Sequence, residues 1–191
     1  MITKKRITKE TSVEISLDMS AVEPVEIETS VPFFNHLLTS MAFHGHFSLT
    51  VAASGDTDVD AHHVVEDTGL VFGDVLHELS LGRDSLARFG HAVIPMDEAL
   101  SEVNLDVCGR SACVFEAAFP QQLVGTFDTA LLKEFLLALA QRAKISLHAE
   151  IRRGDNSHHM AESMFKALGK ALSAAYQEGT RKGLSTKGGI G

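Results

Sequence analysis

The chain has 191 residues, 45% of them apolar, enough to bury the core of one good-sized domain or of two small units that share a core. Seventeen basic against 25 acidic residues leave a formal net charge of −8, which repels phosphate backbones and argues against a nucleic-acid partner. No apolar run is long enough to span a bilayer, and the basic residues 1–6 lack the apolar stretch of a secretory signal, so a cytoplasmic location with no membrane partner is expected.

Val13, Ile15 and Leu17 alternate with polar residues and predict a strand; residues 25–28 do so more weakly. Pro32 can open a helix that carries Phe34, Leu37, Leu38, Met41 and Ala42 at helical spacing. Residues 47–53 read as a strand that ends in the turn Ser54-Gly55-Asp56, and a helix is expected over 62–79. Short strands fit 92–96, 103–107 and 112–117. The only cysteines, Cys108 and Cys113, match no zinc or redox spacing and are expected to be reduced thiols. Asp128 is a candidate N-cap for a helix to about Arg142. A strand over 145–151, a turn at 154–157 with a capping residue, and a helix over 158–176 follow. The tail 183–191 holds four glycines and is expected to be mobile unless a ligand orders it.

The second half repeats the first. Phe47-Ser48-Leu49 matches Ile145-Ser146-Leu147, and Gly55-Asp56 matches Gly154-Asp155. His62-His63-x-x-Glu66 matches His158-His159-x-x-Glu162, followed by Gly73 against Gly169 and Leu76 against Leu172. Eleven residues before Phe47 stands His36; eleven before Ile145 stands Glu134. Two internal repeats, about 1–90 and 91–182, are therefore expected to fuse into one unit.

On a helix, Glu66 shares a face with His62 and His63. The two adjacent histidines diverge by about 100° and cannot easily grip one ion. One such motif at a helix start is more often a cap or surface decoration. Two copies in matching contexts point to two metal ions held by eight candidates: His36, His62, His63, Glu66, Glu134, His158, His159 and Glu162. Imidazole with carboxylate suits manganese, iron, zinc or nickel, with positions left open for substrate or water. Two other readings fit a repeated metal motif: a two-metal phosphate-ester hydrolase, and a protein in which ions only staple subunits together.

The chain resembles the imidazoleglycerol-phosphate dehydratase family over nearly its whole length. The resemblance rests on Thr8-Lys9-Glu10-Thr11, Phe34-Asn35-His36-Leu37-Leu38, His44-Gly45, residues 60–67, Arg88-Phe89-Gly90, residues 95–100, Gly109-Arg110, residues 156–162, Phe165-Lys166-Ala167 and Ser185-Thr186-Lys187-Gly188. It implies an α+β fold of two pseudo-symmetric halves, each a small mixed sheet with helices packed on one face (ribosomal protein S5 domain 2-like). It also implies a hydro-lyase that converts imidazole glycerol phosphate to imidazole acetol phosphate in histidine biosynthesis, with two Mn2+ ions per active site and other divalent metals admitted.

The eight candidates match the family's metal positions, although many members carry histidine where Glu134 stands and aspartate is expected at Asn35. Arg88, Arg110, Lys166, Ser185 and Lys187 match phosphate-binding positions, as befits a doubly charged anion. Glu10 matches a substrate-contacting glutamate and is the first candidate for acid–base work, with His44 weaker and Glu162 able to serve as ligand and base. His36, His62, Glu66 and His158 are also placed against the substrate, whose imidazole ring can ligate both ions. The resemblance further implies a large homo-oligomer built from trimers, with metal sites at subunit contacts. His46, His77, His91 and His148 keep ordinary structural readings.

Overall fold

The computed structural model describes residues 1–82 and 85–180. Ser185 and Lys187, and the tail expected to be mobile, lie outside the described residues. The first half runs β1 (Ile2–Ile7), β2 (Thr11–Asp18), β3 (Val25–Glu28), α1 (Pro32–Gly45), β4 (Ser48–Gly55) and α2 (His62–Leu81). The second runs β5 (Phe89–Met96), β6 (Ala99–Asp106), β7 (Ala112–Glu116), a hairpin of β8 (Leu123–Val124) and β9 (Phe127–Asp128), α3 (Leu131–Ala143), β10 (Ser146–Arg153) and α4 (Ser157–Ala175).

The sheets share one topology. Their orders are β1-β2-β4-β3 and β5-β6-β10-β7, with the last pair parallel in each. Leu17 pairs with Leu49 in the first and Leu105 with Leu147 in the second. Along β2 and β6 burial alternates residue by residue, because one face meets helices and the other does not.

The helices pack across the halves: α1 lies on α4, and α2 on α3. Two repeat-related glycines permit this. A Cβ on Gly169 would stand 2.0 Å from the carbonyl oxygen of Met41, and one on Gly73 would stand 2.7 Å from that of Leu139. The helix axes are closer than any side chain allows. Around this seam Phe34 of α1 packs edge-on against Phe135 of α3, which stacks on Phe165 of α4, all three fully buried. Each such ring contributes roughly 1.5–3 kcal/mol by burial.

The expected strands and helices are found, with three differences. β1 escapes the sequence reading because Lys4 and Arg6 take the helix-facing positions of an edge strand, where they pair with Glu78 and Asp67 of α2, and mask its alternation. The β8–β9 hairpin is too short to leave a pattern. Helix α3 begins at Leu131, and Asp128 serves upstream instead, accepting the Ala130 N–H at 2.9 Å.

Candidate metal centre

Each His-His-x-x-Glu motif occupies the first turn of its helix. The N–H of His62 donates to Asp60 Oδ1 at 2.7 Å, and that of His158 to Asn156 Oδ1 at 2.9 Å. These turns satisfy donors that the helix start leaves free and fix the angle at which the histidines emerge. In both motifs the adjacent rings diverge alike. His62 and His63 have an interplanar angle of 83° with centroids 5.8 Å apart; His158 and His159 have 83° and 6.1 Å.

The first histidine and the glutamate of α4 face the other half of the chain. His36 Nε2 on α1 lies 3.0 Å from Glu162 Oε2, and His158 Nε2 lies 3.3 Å from the same oxygen. The three ligand atoms fall within 4.8 Å of one another. The other oxygen of Glu162 is held by Lys166 Nζ at 2.9 Å, with Ser40 Oγ donating at 3.5 Å. Burial alone would raise the pKa of Glu162, but hydrogen bonds from Lys166 and His36 outweigh it and bring it down to about 2. A carboxylate kept ionised between two imidazoles is a donor set for a divalent cation.

The equivalent positions on α2 are looser. His62 Nε2 is 3.4 Å from Glu66 Oε2, both side chains more than 40% exposed. Glu134 stands on α3, which packs on α2 as α1 packs on α4, yet it forms no three-ligand group with them among the described residues.

The second histidine of each motif turns toward the hairpin of its own half. His159 Nδ1 meets Glu98 Oε2 at 2.8 Å, with Asp97 Oδ2 at 3.8 Å from its Nε2. His63 Nδ1 meets Asp56 Oδ2 at 3.1 Å, with Glu10 Oε2 at 3.9 Å from its Nε2. The hydrogen bonds with Asp56 and Glu98 raise the pKa of His63 and His159, and the His159 contact brings Glu98 down to about 2. Metal binding needs neutral imidazole, so protons and metal compete there at a higher pH than at an ordinary histidine. The affinity of a divalent cation held by these histidines should persist at alkaline pH and fall as pH drops through their raised pKa values, which a Mn2+ titration at a series of pH values would read. A flat profile would remove both histidines from the ligand set.

Glu10 sits on the β1–β2 turn with its backbone pinned: its N–H donates to Thr8 Oγ1 at 3.1 Å and its carbonyl accepts the Asp56 N–H at 3.2 Å. Its side chain is 60% exposed. His44 lies at the far end of α1 from His36, eight residues or about 12 Å along the axis. Desolvation lowers its pKa, with Lys166 and Lys170 adding to the effect. Asn35 does not orient His36; its Oδ1 accepts the Thr29 N–H at 2.9 Å.

Arg88 holds a left-handed backbone, φ 73°, between hydrogen bonds to Ala175 and Val107. Its guanidinium donates to Asp106 through Nε at 2.7 Å and Nη2 at 3.0 Å and covers the Phe89 ring. Arg110 is exposed on the β6–β7 turn. Arg88 is thus at the C-terminal end of α4, whereas Glu162 is near its start, about 20 Å away along the helix.

Asp56, Asp97, Glu98 and Asp106 were not singled out as site residues from the sequence. The signal for Glu98 was there: it follows Glu10 by 88 residues, as Leu105 follows Leu17.

Residues 29–172 match the family model described as imidazoleglycerol-phosphate dehydratase. The chain is 48% identical over 171 residues to the imidazoleglycerol-phosphate dehydratase of Streptococcus sanguinis, covering 90% of this chain and 88% of the relative. It is 46% identical over 173 residues to that of Bacillus cereus strain B4264, covering 91% and 89%. The fold is similar to the crystal structure of the Staphylococcus aureus enzyme at a TM-score of 0.83 and 37% identity, covering 94% of this chain and all of that one. It is likewise similar to the Pyrococcus furiosus enzyme in complex with (S)-C348, at 0.86 and 33%, covering 98% and 100%.

Proposed function

The chain belongs to the imidazoleglycerol-phosphate dehydratase family, and from that premise we propose that it is a carbon–oxygen lyase of histidine biosynthesis that dehydrates imidazole glycerol phosphate with the help of two divalent metal ions. The observation that carries the metal part is the meeting of His36, His158 and Glu162 across the two halves. Their nitrogen and oxygen donors fit Mn2+ and, less selectively, iron or zinc. His36, His158 and Glu162 would hold one ion. His62, Glu66 and Glu134, with the outward-facing His63 and His159, would supply the other ligands. Bound there, the ions would polarise the substrate's imidazole ring as Lewis acids.

From a rigid backbone mount beside His63, Glu10 takes the proton from the second side-chain carbon, the hydroxyl on the ring-attached carbon leaves as water with that proton, and the resulting enol becomes the ketone by moving its hydroxyl proton to the ring-attached carbon. Lys166, Arg88, Arg110, Ser185 and Lys187 receive the phosphate. Arg88 stands about 20 Å from the Glu162 cluster of the same chain. A short phosphorylated side chain does not reach that far, so the site is composite, completed by another copy of the chain in a homo-oligomer. No described helix is long and apolar enough to cross a membrane; a cytoplasmic location belongs to the same proposal.

The test is the product. Metal-loaded protein incubated with imidazole glycerol phosphate should yield the ketone, imidazole acetol phosphate, with no inorganic phosphate released. Phosphate release without ketone would replace this reading by a two-metal phosphatase.

A further inference from the structure

Two carboxylates outside the proposed ligand set make the same contact from unrelated places in the fold. Glu98 lies on the β5–β6 turn and Asp56 on the loop before α2. By strand register the counterpart of Glu98 is Glu10, and by the repeat the counterpart of Asp56 is Asp155. Neither counterpart plays the matching part. Glu10 approaches the Nε2 side of His63, and Asp155 uses its backbone carbonyl to accept from Gln121 at 3.0 Å. Yet in both halves a carboxylate meets Nδ1 of the second motif histidine. A contact reached by different residues in the two halves is not simply inherited from the duplication.

The carboxylates are themselves fixed. Glu98 uses both oxygens, Oε1 accepting the Asn156 N–H at 3.1 Å and Oε2 meeting His159 Nδ1. Both Asp56 oxygens lie 3.1–3.2 Å from His63 Nδ1, and its own N–H is tied to the Glu10 carbonyl. An acceptor at Nδ1 requires the proton there and leaves the lone pair on Nε2. We propose that Glu98 and Asp56 are positioning residues that hold His159 and His63 in the Nδ1–H tautomer, aiming both Nε2 atoms outward at a metal ion. The inference rests on the metal reading above. It also gives Glu10 its freedom: with Asp56 orienting His63, the Glu10 carboxylate is left for chemistry.

The experiment measures Mn2+ affinity of the full chain from the EPR signal of free Mn2+, for the wild type and for Glu98→Ala, Glu98→Gln, Asp56→Ala and Asp56→Asn. Loss of an outer carboxylate partner typically weakens metal binding about 10–100-fold. The alanine variants should show that loss. The amide variants keep an acceptor oxygen for Nδ1 and should stay within a few-fold of wild type. Alanine variants that bind like wild type would overturn the proposal, as would amide variants that lose as much as alanine, which would make the role one of charge alone. A wild-type chain that takes up no Mn2+ would overturn the metal reading and this one with it. Wild-type binding matched by Glu98→Ala overturns this one alone.

Discussion

Glu162→Ala should lower turnover by about 100-fold or more and cost the protein one class of bound metal. Glu162 is the hub of the cross-half cluster. One oxygen faces both His36 and His158, and the other is clamped by Lys166. Without it two imidazoles and a cation are left facing one another, a poor site for a divalent ion. The readouts are kcat and metal per chain, measured on the same preparation. The loss of metal sets this variant apart from one that is merely less active. Full metal content with normal turnover would take Glu162 out of the centre.

Glu10→Gln should lower turnover by about 10²–10⁴-fold, the range for loss of a general acid or base, while substrate binding and metal content stay intact. The exchange keeps the shape and removes the titrating group. The Glu10 backbone is held by Thr8 and Asp56, and its side chain makes only a long approach to His63, 3.9 Å, so little structure depends on the charge. The pattern of near-normal affinity with collapsed kcat separates acid–base chemistry from a structural ion pair. Near-normal activity would remove Glu10 from the mechanism.

Much of the site could be read from the sequence because duplication wrote it twice. The paired motifs, the offset that linked His36 with Glu134, and the divergence of adjacent histidines follow from helical period and repeat alignment. Which half supplies which partner could not be read. His36 precedes the first motif in sequence but meets the second in space, because α1 packs on α4. That choice is made by helix seams at Gly73 and Gly169 and by the Phe34–Phe135–Phe165 stack, long-range contacts with no local signature. The histidine contacts of Asp56 and Glu98 were also hidden, although the repeat offset from Glu10 marks Glu98 itself. Carboxylates on turns are usually solvated, and only the fold brings them to Nδ1 of a histidine. The edge strand β1 was masked by Lys4 and Arg6 on its helix-facing side, where they pair with Glu78 and Asp67 of α2 in place of apolar residues.

The proposed two-metal centre is completed between copies of the chain. Anomalous diffraction at the manganese edge, from crystals grown with Mn2+, tests it most directly. Two manganese peaks per chain are expected, one at His36, His158 and Glu162, each with a histidine from a neighbouring copy among its ligands. No peak at that cluster, or peaks ligated by a single chain throughout, would contradict it.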